Sequence, residues 1–506
     1  MLRVRSAKTP ANGRGRDVAG LLGDFNHDLP RIPPAAKRPR EKRLFDNRPA
    51  RGPRRRDAGW SPAGVPVSVW RMTSDQAPVL WPFVAAPALP PTGAQMGIDY
   101  FSGSSMYFDP NAWVRDEEIP VTNANVLVQG KPGTGKSATI KACALRMSDF
   151  GYRTLVLGDP KDEYEDLCRF LGQEPIVIGP GHPNRINPLA FGPLAQGWES
   201  LGVTELEQRS QTVFNRWLTV LRGLVGSQRI GQHHIPFGPS DEVAVLTVLR
   251  DLTGFTSGHT ALTETTIPSV WRALSDPAAE LIIACRFRDA RQFLDETRLL
   301  RDSLGKLVQG ELAGMFDAPT NIAIDWRAPI TSLSLSRVSD EAVGVALTCV
   351  NSWGRGMREL AEPGDMRLVI RDEVWRQMRL GPEAVKSFDA DLRLSRKDGD
   401  IQIAAAHKPS DWLSVGDQNS QAVAIAKDML HLADTKILCG QDAEVAGELN
   451  ELLDLGAIGQ GLVTGWCRQG RGRAVWMLGD RLYKVQTILH PLERQLTYTN
   501  AALDLA

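Results

Sequence analysis

The stretch NVLVQGKPGTGKS, residues 125–137, constrains the fold of this chain more than any other part of the sequence. It opens with an apolar run at 126–128, which is typical of a buried strand. A loop with three glycines follows, and a helix-compatible segment begins at Lys136. Glycine tolerates backbone angles that bulkier residues resist, so successive N–H groups of such a loop can turn inward around an anion. The order of strand, glycine-rich loop and helix therefore predicts an α/β fold with an anion-binding turn.

The spacing of the loop identifies the anion. Gly130-x4-Gly135-Lys136-Ser137 is the complete P-loop pattern, in which the lysine reaches the terminal phosphates of a nucleotide and the serine hydroxyl is a ligand of Mg²⁺. The positive N-terminal end of the following helix favours the same phosphates. We expect ATP with Mg²⁺ to bind at Gly130, Lys131, Pro132, Gly133, Thr134, Gly135, Lys136, Ser137 and Ala138.

A second motif supplies the acids that an ATPase needs. In RLVIRDEVW, an apolar strand ends at Asp372 and Glu373. We predict that Asp372 holds the metal through a bound water and that Glu373 polarises the attacking water. The alternative is that the pair only begins a helix, as charged pairs commonly do. Arg371 stands where an apolar residue is usual, and the sequence offers no reason for it.

Two further strand ends carry polar residues. IAAAHKPSDW places His407 at the carboxyl edge of the sheet, where open α/β sheets bind ligands. His407 therefore joins Lys136 and Glu373 as a candidate catalytic residue that senses the γ-phosphate. The alternative is a histidine that only forms hydrogen bonds at the strand end. The segment 159–161, Asp-Pro-Lys, follows another strand. We expect it either to face the nucleotide or a neighbouring subunit, or to form only a turn and the start of a helix.

Charge is distributed unevenly along the 506 residues. Residues 1–57 hold 16 Lys and Arg against 6 Asp and Glu, a net charge of +10, and the remainder carries −10. A basic, proline-rich segment with few apolar residues cannot bury enough surface to become ordered. We expect a disordered tail over 1–58 that contacts nucleic acid or anionic lipid, or is merely solvated.

The six cysteines are scattered and include no C-x-x-C pair. This favours a reducing compartment over a zinc site or a disulfide framework. The sequence shows no secretory signal, and its most apolar N-terminal stretch is too short and too rich in proline to span a bilayer. We expect a cytoplasmic protein, or one that is peripheral at the inner face of the cell membrane.

Secondary-structure patterns divide the chain into segments. Strands alternate with helices before about 203 and again after 316, which predicts a parallel α/β sheet, whereas the intervening pattern is helical. Three β-prone runs follow one another near the C-terminus, at 461–467, 473–478 and 481–489. We expect a tail (1–58), a lead-in segment (59–123), the first part of the core (124–203), an all-α insertion (204–315), and the second part of the core with a β-rich C-terminal end (316–506).

The order of the motifs resembles the HerA–FtsK superfamily of hexameric pumping ATPases. Within it, the chain looks most similar to the conjugative, type IV secretion ATPases in their actinobacterial form. The resemblance spans about residues 100–495 and rests on NVLVQGKPGTGKS, DPKDEYEDL, RINPL (185–189), GELAGMFD (310–317), IRDEVW (370–375), HKPSDW (407–412) and the C-terminal GRGRAVWMLGDRLYKVQTILHPLE.

The resemblance implies a RecA-like P-loop NTPase core with an all-α insertion, self-association into a hexameric ring, and membrane secretion-channel proteins as partners. It also implies an arginine that a neighbouring subunit contributes to the site. Our candidates are Arg468, Arg471 and Arg473. Two departures stand out: the family usually has glycine at the position of Asp162 and a sensor glutamine at the position of His407.

Three functions compete. The first is an ATP-hydrolysing motor that energises a type IV secretion or conjugative transfer apparatus. The second is a hexameric DNA translocase or coupling protein, and the third is a nucleotide-dependent scaffold that barely hydrolyses. The intact Lys136, Asp372 and Glu373 count against the scaffold. A slightly acidic body without the basic surface that DNA binding generally demands favours the motor.

Overall fold

The computed structural model describes residues 89–498 apart from 232, 256–261, 311, 323–324, 326, 340–342, 360–363, 381 and 414–420. The predicted tail and the first part of the lead-in segment lie outside these residues. Within the described part, the strands are β1 (Ala94–Asp99), β2 (Ser105–Phe108), β3 (Val126–Gln129), β4 (Arg153–Asp159), β5 (Ile176–Val177), β6 (Arg229–Ile230), β7 (His233–His234), β8 (Ile330–Ser334), β9 (Arg367–Arg371), β10 (Asp400–Ala406), β11 (Thr435–Cys439), β12 (Arg473–Leu478) and β13 (Arg481–Thr487).

The α-helices of the described part are α1 (Pro110–Arg115), α2 (Lys136–Ser148), α3 (Glu165–Phe170), α4 (Val203–Gly226), α5 (Pro239–Thr253), α6 (Ile267–Ser275), α7 (Ala279–Ala284), α8 (Ala290–Glu296), α9 (Arg298–Gln309), α10 (Val343–Glu359), α11 (Val374–Met378), α12 (Pro382–Asp398), α13 (Pro409–Trp412), α14 (Gln421–His431), α15 (Ala443–Leu453), α16 (Gly456–Thr464) and α17 (Pro491–Leu496). None of the helices in the described part is long and apolar enough to cross a membrane.

One sheet of eleven strands organises the described chain, in the order β2-β1-β13-β12-β11-β3-β10-β9-β4-β8-β5. The seven strands from β11 to β5 are parallel to one another. The other four strands of this sheet continue it in antiparallel pairing. The prediction of an α/β fold is confirmed.

Both faces of the parallel part are covered by helices. Strands β3, β9, β10 and β11 are buried at every position, as is usual for parallel strands that lie between two helical layers. Alternate residues of β3 face opposite layers. Val126 and Val128 pack in one core cluster with Ile140 of α2, whereas Leu127 packs in another with residues of α11 to α15.

The chain between β5 and β8 is mainly helical, from α4 to α9. Its described strands are only the two-residue β6 and β7, which pair antiparallel. The first of these helices, α4, has a buried apolar face that includes Val213, Trp217, Leu221 and Leu224. They share one core cluster with Leu155 of β4. We propose that residues 204–315 form an insertion that packs directly on the α/β core.

The C-terminal end differs from the expectation in one place. The run at 461–467 is not a strand, because it forms the end of α16 and a 3₁₀ turn at Trp466–Gln469. Within α16, the buried residues Gly459 and Val463 are four positions apart and so lie on one helical face, and burial of that face overrides the β preference of the sequence. The other two runs form β12 and β13.

Two segments before and after the helical region also differ from the sequence pattern. The lead-in segment contributes β1 and β2 to the main sheet, where β1 pairs with β13. The run NIAIDW, read as a strand, has no strand at its described positions 321, 322 and 325, and its other residues lie outside the described part.

Arg371, unexplained by the sequence, is the centre of a buried ion pair. Its guanidinium is almost inaccessible and donates to Asp391 Oδ2 of α12 at 2.7 Å. It also bonds to Gln402 of β10 and lies over the ring of Phe388, 4.6 Å from the centroid. Arg371 therefore ties the strand that ends at Asp372 to the helix and the strand beside it.

We predict that Asp391→Ala lowers the free energy of unfolding by about 3–5 kcal/mol, because it leaves the buried charge of Arg371 without its main partner and also removes the ion pair of Asp391 with Arg355. Asp389→Ala on the same helix is the control, since Asp389 pairs with an exposed arginine, Arg393. Such a pair contributes roughly 0–1 kcal/mol. Urea titration followed by circular dichroism measures both, and equal losses would contradict the role given to Arg371.

Candidate nucleotide-binding and catalytic site

The P-loop is held against the turn that precedes β12. Gly133 and Gly135 have φ angles of +79° and +105°, in the left-handed region that favours glycine. A Cβ at Gly135 would come within 2.7 Å of the backbone nitrogen of Gly472. The N–H of Gly472 donates to the carbonyl oxygen of Thr134 at 2.9 Å. Position 135 therefore requires glycine for two reasons: its φ angle is left-handed, and the backbone of Gly472 leaves no room for a Cβ.

Lys136 is folded into this loop. Its side chain is buried, and Nζ donates to the carbonyl oxygen of Gly130 at 2.6 Å and lies 3.1 Å from Nδ1 of His407. Burial lowers the pKa of Lys136, and the nearby ammonium of Lys161 acts in the same direction. A phosphate in the loop would relieve both effects, because it would give the ammonium an anionic partner.

The side chains of the two predicted acids, Asp372 and Glu373, face different partners from a strained turn. Glu373 has a φ of +51°, which is uncommon for a residue other than glycine. Its N–H donates to Oδ1 of Asp372 at 3.0 Å. Asp372 faces the hydroxyl of Tyr164, which lies 3.4 Å from its Oδ2, whereas the carboxylate of Glu373 turns to a different set of donors. Strain of this kind persists where the surroundings fix the backbone, commonly at functional sites.

Asp372 is suited to a cation. Burial raises the pKa of Asp372 to about 6, and the carboxylates of Glu163 and Glu373 add to the effect. A bound cation would favour the charged form of this carboxylate. Among the described residues, no group of three or more His, Cys, Asp or Glu side chains is arranged to hold a metal alone. Mg²⁺ is usually held by one or two carboxylates together with phosphates.

Three donors surround the carboxylate of Glu373. Lys161 Nζ forms an ion pair with it, Nε1 of Trp375 donates to Oε2 at 2.5 Å, and Nε2 of His407 lies 3.1 Å from Oε2. Burial by itself would raise the pKa of Glu373, but these hydrogen bonds outweigh it and hold that pKa far below its usual range. The carboxylate is therefore charged and fully engaged.

His407 links the P-loop to Glu373. One ring nitrogen, Nδ1, faces the ammonium of Lys136, and the other, Nε2, faces Glu373. Both contacts are satisfied by the neutral tautomer with its proton on Nε2, because Lys136 can then donate to Nδ1. The backbone of His407 is fixed on both sides: its N–H donates to Asp411 and its carbonyl accepts from Gln441. The structure thus brings Lys136, His407 and Glu373 together.

Reasoning from the sequence left Lys161 open, because the segment 159–161 was expected to face the nucleotide or a neighbouring subunit or to form only a turn, and it did not assign Trp375 to the site. The signal for Lys161 was its place at the end of β4, the same sheet edge as the other site residues. The turn that carries it also explains one departure from the family. Asp162 has a φ of +57°, in the region where glycine is favoured, and it accepts a hydrogen bond from Ser334.

The three candidate arginines lie beside their own P-loop. Arg468 is 3.5 Å from Asp442, which also pairs with Lys131 of the loop. Arg471 is exposed and precedes Gly472, whereas Arg473 donates to Gln486 and lies over the ring of Trp466. A residue that enters another subunit's site must be free to extend, and Arg471 meets that condition best.

The arrangement fits a nucleoside triphosphate with Mg²⁺. The loop has the required left-handed glycines, and at Gly133 a Cβ would meet nothing within 4 Å. The ammonium of Lys136 lies inside the loop, Ser137 is the second residue of α2, and Asp372 is the carboxylate that a cation would favour.

Comparisons with known structures agree with this architecture. VirB4 of Thermoanaerobacter pseudethanolicus matches with a TM-score of 0.61 at 19% sequence identity, over 81% of this chain and 99% of that chain. The bacterial conjugative coupling protein TrwBdeltaN70, in its unbound monoclinic form, matches with a TM-score of 0.52 at 12% identity, over 81% of this chain and 92% of that chain. No protein-family model and no curated protein matches the sequence.

The chain has the fold of VirB4 and TrwB. The RecA-like P-loop NTPase core implied by the order of the motifs is thereby confirmed. At these levels of identity the likeness to VirB4 and TrwB is one of fold. The actinobacterial form of the resemblance and the roles of the individual site residues stay predictions.

We predict that His407→Gln keeps ATP hydrolysis within a few-fold of the unaltered protein, because an amide can accept from Lys136 and donate to Glu373 as the imidazole does. His407→Ala loses both contacts and should slow hydrolysis by roughly ten- to a hundredfold. His431→Ala, at an exposed histidine, is the control. Steady-state phosphate release measures the series. A glutamine variant as slow as the alanine variant would show that the imidazole itself is required.

Proposed function

We propose that this protein is an ATP-hydrolysing motor that energises a type IV secretion or conjugative transfer apparatus. The observation that carries the proposal is the continuous chain of contacts from Lys136 through His407 to Glu373. It joins the phosphate-binding lysine to a buried carboxylate at one sheet edge. The support for this particular kind of motor is the fold, which matches VirB4 over nearly all of that protein.

Each site residue has a distinct task in the proposed reaction. Lys136 and the loop N–H groups hold the β- and γ-phosphates, and Ser137 and Asp372 orient the metal. Bound Mg²⁺ would neutralise charge on those phosphates. Glu373 orients the attacking water and accepts its proton, and His407 relays the position of the γ-phosphate between Lys136 and Glu373. A scaffold that does not hydrolyse would have no need of the buried Glu373.

We further propose that the motor is a homo-oligomeric ring, a hexamer, in which Arg471 or another of the three arginines reaches a neighbouring subunit's nucleotide. The protein would act in the cytoplasm or at the inner face of the cell membrane, on secretion-channel proteins. The exposure of Arg471 beside the P-loop supports the ring, since a change in the loop would alter the surface that the neighbour contacts.

A DNA translocase is the second candidate. The match to TrwBdeltaN70, a conjugative coupling protein, favours it, whereas the net charge of −10 outside residues 1–57 does not. DNA affinity depends largely on lysine and arginine contacts to phosphates. The two candidates therefore differ in where DNA binds and in whether it accelerates hydrolysis.

The first prediction from the proposal concerns turnover. Lys136→Ala should abolish hydrolysis and weaken ATP binding, because the phosphates lose their main cationic partner. Glu373→Gln should keep binding and slow hydrolysis by roughly 10²–10⁴-fold, since only the base is lost. Calorimetric titration with ATP and a phosphate-release assay measure the two effects. Equal loss of binding in both variants would refute the assignment of Glu373 as the base.

The second prediction separates the motor from the DNA translocase. Deleting residues 1–57 should remove most DNA binding and leave ATPase activity nearly unchanged, because the excess of positive charge is there. The DNA binding that is lost should fall steeply with salt, as sequence-independent phosphate contacts do. ATPase rate against DNA concentration, at two salt concentrations and with both proteins, is the measurement. Strong stimulation by DNA that persists without the tail would favour the translocase.

A further inference from the structure

Three donors crowd the carboxylate of Glu373, the proposed base. Lys161, Trp375 and His407 together occupy both of its carboxylate oxygens. A carboxylate offers about four lone-pair sites, so three donors leave little room for the attacking water beside these oxygens. A donor that leaves during the reaction would open the approach of water to Glu373.

Two of the donors are fixed. His407 is held through its backbone by Asp411 and Gln441, and its ring also contacts Lys136. The ring of Trp375 contacts two arginines, with the guanidinium of Arg376 5.0 Å and that of Arg379 4.7 Å from its centroid. Neither side chain can withdraw without breaking these contacts.

Lys161 is different. Its side chain is 49% exposed, against 8% for the Glu373 side chain with which it pairs. The backbone beneath it is firmly held, because Asp159 accepts from the N–H groups of Lys161 and Tyr164 at 3.1 and 2.8 Å. A flexible four-carbon chain on a fixed turn can carry its ammonium from one partner to another. Lys161 is the donor that can leave.

The γ-phosphate is the partner that Lys161 would move to. The contacts Lys161–Glu373–His407–Lys136 form one continuous chain across the site. The two ammonium groups therefore stand at opposite ends of a chain of only three contacts. A triphosphate held by Lys136 would bring its terminal charge into this space, and phosphate is a strong partner for ammonium.

We propose that Lys161 is a γ-phosphate-binding residue that exchanges between Glu373 and the nucleotide, so that ATP binding itself releases Glu373 for catalysis. This proposal rests on the proposed ATPase function. It makes Lys161 a residue that distinguishes ATP from ADP, since ADP lacks the phosphate that competes with Glu373.

The test is nucleotide affinity in the full chain, measured by isothermal titration calorimetry with Mg²⁺ and either ADP or a non-hydrolysable ATP analogue with an imido group between the β- and γ-phosphates. Lys161→Ala should weaken binding of the analogue by roughly ten- to a hundredfold and leave the affinity for ADP within about twofold of that of the unaltered protein. Lys161→Arg should restore most of the preference, because the charge is retained. Lys427→Ala, at an exposed lysine on α14, is the matched control.

A second variant tests the exchange directly. Glu373→Ala removes the competing carboxylate and should tighten binding of the analogue by a few-fold, and this gain should vanish in the Lys161→Ala/Glu373→Ala double variant. Circular dichroism confirms that each variant is folded. If Lys161→Ala fails to fold, Lys161→Gln replaces it in both arms.

The outcomes separate this proposal from the one on which it rests. If the unaltered protein binds neither nucleotide, the ATPase function itself fails. If it binds both and Lys161→Ala changes the two affinities equally, or changes neither, Lys161 is only a structural partner of Glu373 and the exchange is refuted. A gain in Glu373→Ala that persists in the double variant would also refute it.

Discussion

The site depends on one constraint, the parallel alignment of neighbouring strands that end at the same edge of the sheet. In the register of the sheet, Ala406 lies opposite Gln129 and Ala404 lies opposite Arg371. The next residues along each strand are therefore the first glycine of the P-loop, His407, and the acids after β9. No side chain has to be brought to the site by a long loop. Parallel strands pair over long stretches of intervening sequence and require crossovers, so the site exists only once the sheet is complete.

The local parts of this site could be predicted from the sequence. A P-loop carries its geometry in consecutive residues, and an apolar strand followed by Asp372 and Glu373 is equally local. The motif order was also sufficient to predict the fold. Local patterns do not reveal which distant side chain pairs with a given charged residue. Lys161 and Glu373 are 212 positions apart, and nothing in either segment alone pairs them.

Arg371 and the run at 461–467 show the same limit in the core. Arg371 contradicts the apolar pattern of a buried strand, and its reason is a carboxylate 20 positions away on a helix. The run at 461–467 has a β-prone composition, yet it forms the end of a helix, and Val463 of that helix packs in one core cluster with Val475 of β12. In both cases the observed structure depends on a tertiary partner, and the sequence of the segment itself does not identify that partner. At position 162 the reason is local instead, because the backbone is left-handed there and glycine favours that conformation.

The contact between Gly135 and Gly472 links the P-loop to the antiparallel end of the sheet. The P-loop is bonded to the turn before β12, and that turn carries Arg471 on the surface. The N–H of Thr487, the last residue of β13, donates to the carbonyl oxygen of Gly472, so the turn is fixed to the sheet as well as to the loop. A close backbone contact of this kind leaves no room for independent motion. A displacement of the loop on phosphate binding would therefore be transmitted to the turn and its arginine. In the proposed ring, this contact would link the nucleotide of one subunit to the surface that faces the next.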